Sequence, residues 1–425
     1  MKKSLFLCGI IAAMLTACSD QQTMESILNE PLEIVADGYI SAAQAVKIAN
    51  DFAAEFQDEP GSRSINRKAS STRNVLTIGS PKSRAAEDLI YVVNYDDNQG
   101  FALVSKKETP TPILAFIPEG SYSEETASKI DGFQDFVVCA NEYVLQGLPP
   151  VRDSIIIGLP HDSIPTKVDS LTEETLLNPN YSGHFIHTNW EQEGVFGKYC
   201  PNGECGCGPL TFAMVCAHYE FPKKIKITYD NSNREIELDW AKIKSHLEEK
   251  PFKSTPLDPT NPDKSLWPDC KYNSCTKDSH DQIGLFLRQI GHDFGATYHP
   301  VDNDDEYNGT SMPYRAIYVN MTKYPGFQPT PFVDFKAWYL KYYTTRNIPV
   351  ILEGQTDDNS GGHMWICDGY LSKDQDNDGE PEDFFHYNWG YKGYFNGFFL
   401  SGVFQPKEGW DEYIKVKYCV ITKNK

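Results

Sequence analysis

This sequence predicts an α+β protein built in two units, and three observations carry that expectation. In the first third of the chain, short β-branched and aromatic runs ("LIYVVNY", "GFALVSK", "ILAFI") are separated by turn residues and flanked by helical patterns. From about residue 184 onward, helical patterns come first and strand-like runs come after them. This is the order of an α+β unit rather than of alternating parallel units. The 425 residues are 40% hydrophobic and 13% aromatic, enough for sizeable cores in two or three domains. No internal repeat is present.

The elements follow in chain order. Lys2 and Lys3 precede an apolar run, Leu5 to Leu15, which is too short to span a bilayer and reads as an export signal. It closes on Leu15-Thr16-Ala17-Cys18, which resembles the bacterial lipoprotein box. Cleavage is expected before Cys18, with a lipid on that thiol tying the protein to the cell envelope. In "GYISAAQAVKIANDFAAEF", Ser41 and Gln44 make a capping-box pattern, and Ala45, Ile48, Phe52 and Phe56 recur at helical spacing. The polar, basic stretches "GSRSINRKASSTRN" and "GSPKSRAAED" read as exposed loops. The three strands come next, and "SKIDGFQDFVVCANEYVLQGL" reads as a helix packed on them. Proline and polar residues then dominate to about Gly183, marking a linker open to proteolysis. The boundaries drawn are 1–17 for the signal, 18–165 for the N-terminal unit with its linker, and 166–425 for the second unit.

In the second unit, helices are expected from Cys207 to about Tyr219, in "DWAKIKSHLEEK", in "SHDQIGLFLRQIGHDF" with a second capping box at Ser279 and Gln282, and in "FVDFKAWYLKYY". Strands are expected in "IPVILEG", "HMWICDGY", "FFHYNWG", "FNGFFL" and "YIKVKYCVI".

Charge and cysteine content narrow the function. A formal net charge of -20 argues against nucleic acid as a partner. Once Cys8 leaves with the signal and Cys18 is acylated, nine cysteines remain. An odd number in an exported protein points to a free thiol. Cys270 and Cys275 are close enough for a local disulfide, and Cys200 and Cys205 form another candidate pair.

The thiol with the best setting is Cys207 in "PNGECGCGPLTFAMVCAHYEF". It opens an apolar helix, where unpaired amides favour the thiolate, the reactive form of the side chain. Gly206 and Gly208 leave room for a carbonyl to approach. Bonding in a disulfide or to a metal is the plainer alternative. A nucleophilic thiol needs an imidazole near it in space, and His363 in "NSGGHMWICDGY" follows two glycines at the start of a strand-like run. Asn388 and Trp389 lie between strands in "FHYNWGYKGYFNGFF". An asparagine carbonyl there can orient an imidazole and an indole can shield it. Gln192 in "HTNWEQ" can supply an amide to an oxyanion.

These pieces in this order resemble the streptopain family of papain-like cysteine peptidases. The resemblance covers nearly all of the chain after the signal. It implies a papain-like catalytic domain, a helical lobe against an antiparallel β lobe with the cleft between them, preceded by a small α+β inhibitory propeptide. It makes Cys207 the nucleophile and His363 the general base. Gln192 and the Cys207 amide form the oxyanion hole, Asn388 and Trp389 support the histidine, and Gly206, Gly362 and Ser311 contact substrate. The activity implied is hydrolysis of peptide bonds through a thioester, released when the propeptide is removed. Protein or peptide substrates and the chain's own propeptide would be its partners.

The sequence departs from the family at Gly208-Pro209-Leu210-Thr211 after the nucleophile and at Tyr391-Lys392, where the family has Trp-Gly. "YNGTSMPYRA" only loosely matches the family's substrate loop, and Cys205 is an extra thiol beside the nucleophile. In "DQDNDGEPED", Asp374, Asp376 and Asp378 alternate as in a calcium loop, but Phe385 stands where the closing glutamate belongs. The stretch is read as an acidic hairpin, and no cofactor is expected. Two other functions fit the same residues: a non-catalytic surface-binding lipoprotein, and a thiol acyl-transferase.

Overall fold

The computed structural model describes residues 36, 38–56, 67–79, 88–147, 183–247, 277–299, 309–356, 362–404 and 414–424. Expectations that fall on the signal, Cys18, the linker, Gly361, Cys270 and Cys275 lie outside the described residues. The class observed is α+β, as read from the sequence. Among the described residues no helix is long and apolar enough to cross a membrane.

The first helix, α1 (Ala42–Glu55), starts at the capping box read from the sequence. Gln44 N donates to Ser41 Oγ at 3.2 Å, and Ser41 N donates to Gln44 Oε1 at 2.7 Å. Four antiparallel strands follow: β1 (Val75–Ile78), β2 (Ile90–Asn94), β3 (Phe101–Ser105) and β4 (Ile113–Ile117). Every residue of β3 and β4 is buried. Their runs are continuously apolar because a helix covers each face. Phe116 meets Phe52 of α1 on one side, and Phe101 meets Phe133 of α2 (Asp131–Gln146) on the other. Helix α2 ends at Gly147, whose φ of 60° closes it with a left-handed cap. Arg67, expected in an exposed loop, is buried instead. Its Nε donates to Pro118 O at 3.0 Å and its guanidinium lies over the Phe56 ring.

The second unit opens with β5 (Gly183–His184). The helix α3 (Cys207–Tyr219) is buried from Gly208 to Ala217, so it is a central helix rather than an amphipathic surface one. Around it lie the hairpin β6 (Lys224–Lys226) and β7 (Glu235–Glu237), helices α4 (Trp240–Leu247) and α5 (Lys277–Phe294), and the pair β8 (Thr297–His299) and β9 (Gly309–Ser311). Ser279 lies inside α5 instead of capping it, and Gln282 Oε1 accepts from Asp239 N at 2.9 Å, so this second capping box is not formed. Strands β10 (Phe327–Pro329) and β11 (Val333–Asp334) come next. The helix expected over "FVDFKAWYLKYY" forms only at its end, as α6 (Ala337–Thr344), because β11 is drawn into the sheet. Strands β12 (Val350–Thr356), β13 (Gly362–Lys373), β14 (Glu382–Asn388), β15 (Gly397–Leu400) and β16 (Ile414–Lys423) fall on the five runs read as strands.

One antiparallel sheet joins the two units. Its order is β1-β2-β3-β4-β15-β14-β13-β12-β16-β10, and the junction is the pairing of Phe116 with Phe398 and Ala115 with Phe399. The faces of β12, β13 and β16 divide the core. Leu352, Trp365 and Val420 face a core shared with α2 and the N-terminal unit, while Ile351, Ile366 and Cys419 face the core around α3. The active site candidates lie where these two cores meet.

Candidate active site

Cys207 is the first residue of α3 and is half-buried. Gly206 before it has φ 86°, a conformation that favours glycine, and a Cβ there would lie 2.9 Å from Thr310 Cγ2. Thr310 belongs to β9, which runs beside the start of α3. The backbone amides of Met364 and Gly208 bond the Cys207 sulfur and favour its thiolate. Burial outweighs them. Together with the charges of Asp131 and Glu204, burial pushes the thiol up to about 11, so it is neutral near pH 7.

His363, the second residue of β13, is buried. Its Nε2 lies 2.9 Å from Trp389 O. A carbonyl only accepts, so Nε2 carries the proton, assigned from the partner, and Nδ1 is the basic nitrogen. Burial lowers the imidazole's pKa, while Asp131 and the Trp389 carbonyl pull it back up. Both members of the thiol–imidazole pair are thus held neutral.

The asparagine expectation changes. The Asn388 side chain donates to Thr188 O at 3.0 Å and accepts from Gly390 N at 3.1 Å. The acceptor for the imidazole is the Trp389 carbonyl, one residue on, and Asn388 braces the turn that presents it. Trp389 is fully buried, with its Nε1 donating to Phe395 O at 2.9 Å.

Gln192 is buried and its side chain is hydrogen-bonded to the Tyr391 hydroxyl. Gln192 O also accepts from Cys205 N at 2.8 Å, so the glutamine is tied to the loop that leads into Cys207. The Tyr391 ring lies 5.4 Å from the His363 ring. Lys392 N donates to Trp190 O at 2.9 Å, and Lys392 Nζ pairs with Glu191 Oε2 at 2.8 Å in a nearly buried setting. Burial pushes the Glu191 carboxyl up to about 7 against the pull of Lys392. The two residues that looked like departures therefore grip Trp190, Glu191 and Gln192 in turn. Sequence reasoning passed over Tyr391 and Lys392 as site residues; the altered Tyr-Lys pair was the available signal.

Gly362 is exposed at the start of β13 and pairs with Gln355. Ser311 is exposed at the end of β9, with its hydroxyl 3.2 Å from His299 Nε2. Cys205 is fully buried, burial pushes its pKa well up, and it forms no disulfide with Cys200, since both are free thiols. The carboxylates of Asp374, Asp376 and Asp378 come within 4.8 Å of one another in the β13–β14 hairpin. Gly379 N donates to Asp374 Oδ2 at 2.8 Å, Asp378 N to Asp376 Oδ1 at 3.2 Å and Glu380 N to Asp378 Oδ1 at 2.8 Å, so backbone amides already engage all three.

One contact from the N-terminal unit closes the site. Gly132, in the first turn of α2, lies so near that a Cβ there would be 2.6 Å from two Trp389 ring carbons and 2.9 Å from His363 Cδ2. Asp131 beside it has its Oδ2 3.5 Å from the Tyr391 hydroxyl. The start of α2 is seated on the imidazole, and no sequence signal marked either residue.

Family models match along both units: that of the peptidase C10 family over residues 190–399, and that of the Spi protease inhibitor over residues 38–144. Residues 190–399 are those of a peptidase C10 domain. The C10 match spans Gln192, Cys207, His363, Asn388 and Trp389, and the inhibitor match spans Gly132. The thiol protease/hemagglutinin PrtT of Porphyromonas gingivalis is 21% identical over 344 residues, which are 75% of this chain and 34% of that protein. The chain thus spans about a third of that relative's length. A mutant prointerpain A fragment of Prevotella intermedia has a similar fold, with TM-score 0.50 at 13% identity, covering 81% of this chain and 97% of that one. The α+β, papain-like C10 architecture with an inhibitor-type N-terminal domain is therefore the fold of this chain.

Proposed function

We propose that this chain is the latent form of a cysteine endopeptidase, inhibited by its own N-terminal domain. The observation that carries the reading is the start of α2 resting on His363 and Trp389, with its Asp131 charge acting on the Cys207 thiol. Release of α2 removes both the desolvating cover and the Asp131 charge. Both hold the thiol up, so the thiolate becomes accessible near neutral pH.

The chemistry then needs only side chains of the chain. His363 Nδ1 takes the Cys207 proton, and the thiolate attacks the scissile carbonyl carbon. The oxyanion is met by the Cys207 amide and the Gln192 side chain, which Tyr391 holds. As the C–N bond breaks, imidazolium Nδ1 returns its proton to the leaving amine and a thioester remains. Water loses a proton to His363, attacks the thioester, and releases the acid and the thiol. Asn388 holds the turn that carries Trp389, and the Trp389 carbonyl fixes the imidazole. Gly206, Gly362 and Ser311 line the approach for an extended substrate. No cofactor is required, and the acidic hairpin is a surface loop. Export, with a lipid on Cys18, places the latent enzyme at the cell envelope. Cleavage in the linker, between the parts drawn at 18–165 and 166–425, frees the catalytic part from that anchor.

A casein digestion time course with intact-mass analysis tests the reading, using the chain without its signal, under reducing conditions, beside Cys207→Ala. Loss of the N-terminal part together with casein hydrolysis in the wild type, and neither in the variant, is expected. A wild type that stays silent after limited trypsin has removed the N-terminal domain would overturn it.

A further inference from the structure

Glu353 is the carboxylate that the proposed mechanism leaves without a task. It lies in β12 and is 95% buried, its relative exposure being 5%. Side chains alternate along a strand. Ile351 faces the core around α3 and Leu352 faces the other, so Glu353 faces the α3 side. Its cross-strand neighbours are Met364 and Lys417. The preceding row on this face, Ile351, Ile366 and Cys419, belongs to the core around α3. The Glu353 row is therefore one step nearer the mouth of α3, at the level of Cys207. Met364 ties the two together, because its backbone amide bonds the Cys207 sulfur. Glu353 thus lies on the strand next to the Met364 backbone that contacts the nucleophile.

Glu353 Oε2 is buried without a hydrogen-bond partner. Lys417, its cross-strand neighbour, gives its ammonium to Asp334 Oδ1 at 2.8 Å. An unpartnered buried carboxyl is costly unless something binds it. Burial pushes this one up to about 7, against the pull of Lys417.

We propose that Glu353 forms the floor of the subsite for a substrate side chain on the acyl side of the scissile bond, and that this subsite takes a basic residue, lysine or arginine. The inference rests on the peptidase reading. An entering ammonium or guanidinium meets the free oxygen and replaces the missing partner. The neighbouring thioether of Met364 suits the aliphatic stem of such a side chain.

The test uses the processed enzyme and peptides that vary at the scissile residue and at the residue before it. At one of those positions arginine or lysine should exceed leucine by about tenfold or more in kcat/KM. Glu353→Gln should bring that ratio close to unity, and Glu353→Asp should keep part of it. Each ratio is internal to its variant, so partial misfolding cancels. Leucine equal to arginine at both positions, or a ratio unchanged in Glu353→Gln, overturns the proposal. A second arm needs no turnover: binding of arginine and leucine peptides to Cys207→Ala from which trypsin has removed the N-terminal domain. If no peptide is cleaved yet the arginine peptide binds more tightly and Glu353→Gln abolishes the difference, the subsite stands and the peptidase reading falls. Equal binding of the two peptides overturns the subsite.

Discussion

Replacing Gly132 with alanine should loosen the latent state. The added methyl would lie 2.6 Å from Trp389 Cε3 and Cζ3 and 2.9 Å from His363 Cδ2. Ordinary carbon contacts are about 3.5–4.0 Å, so a shift of about 1 Å is required. Trp389 cannot supply it, being fully buried against Trp365, Tyr387 and Phe399. The start of α2 must retreat, and Phe133 must move within its cluster with Phe101, Tyr122 and Phe395. Overpacking of this kind costs about 1–3 kcal/mol. The better helix propensity of alanine offsets up to about 1 kcal/mol. The net loosening, about 1–2 kcal/mol, corresponds to roughly 5–30-fold. The assay is iodoacetamide labelling of Cys207 in the full chain, read by peptide mass, with Gln146→Ala at the exposed end of α2 as control. Faster labelling in Gly132→Ala alone is expected. Equal rates in the wild type and Gly132→Ala would refute the idea that this contact seals the site.

Three further outcomes follow from the same geometry. The Cys207 thiol sits at about 11 in the full chain, so it is neutral below that pH. Its labelling rate should climb about tenfold per pH unit through neutrality, and the midpoint should fall once the N-terminal domain is removed; a plateau already reached by neutral pH in the full chain would contradict this. Cys205→Ala should keep casein hydrolysis, because that thiol is fully buried, whereas Cys207→Ala should lose it by at least about a thousandfold; the reverse pattern would move the nucleophile to Cys205. Tyr391→Phe removes one hydrogen bond to Gln192, worth about 1 kcal/mol, and should lower kcat about fivefold with KM little changed; a change confined to KM would place Tyr391 in substrate binding instead.

Much of this fold was legible because its signals are local. The α1 capping box, the helix α2 and the five C-terminal strand runs each depend on neighbouring residues. Local pattern gives way where tertiary contacts override it. Gln282 is drawn to Asp239 N rather than back to Ser279, and Val333–Asp334 pairs with β16 instead of extending α6. Arg67 looks like loop in sequence and is buried by two aromatic rings and a carbonyl. At the site, residue types marked Cys207, His363 and Gln192. The true acceptor for the imidazole could not be read, because a backbone carbonyl leaves no trace in the side-chain alphabet. Gly132 was equally silent: a glycine in a helix signals close approach only once its neighbour across the interface is known.

Acid-quenched mass spectrometry of the processed protein with a slowly hydrolysed peptide ester decides whether Cys207 carries the acyl group as a thioester. The expected result is an acyl mass mapped to the peptide bearing Cys207, absent in Cys207→Ala and accumulating in His363→Ala only at high pH. An acyl group on another residue, or hydrolysis that persists in Cys207→Ala, would contradict it.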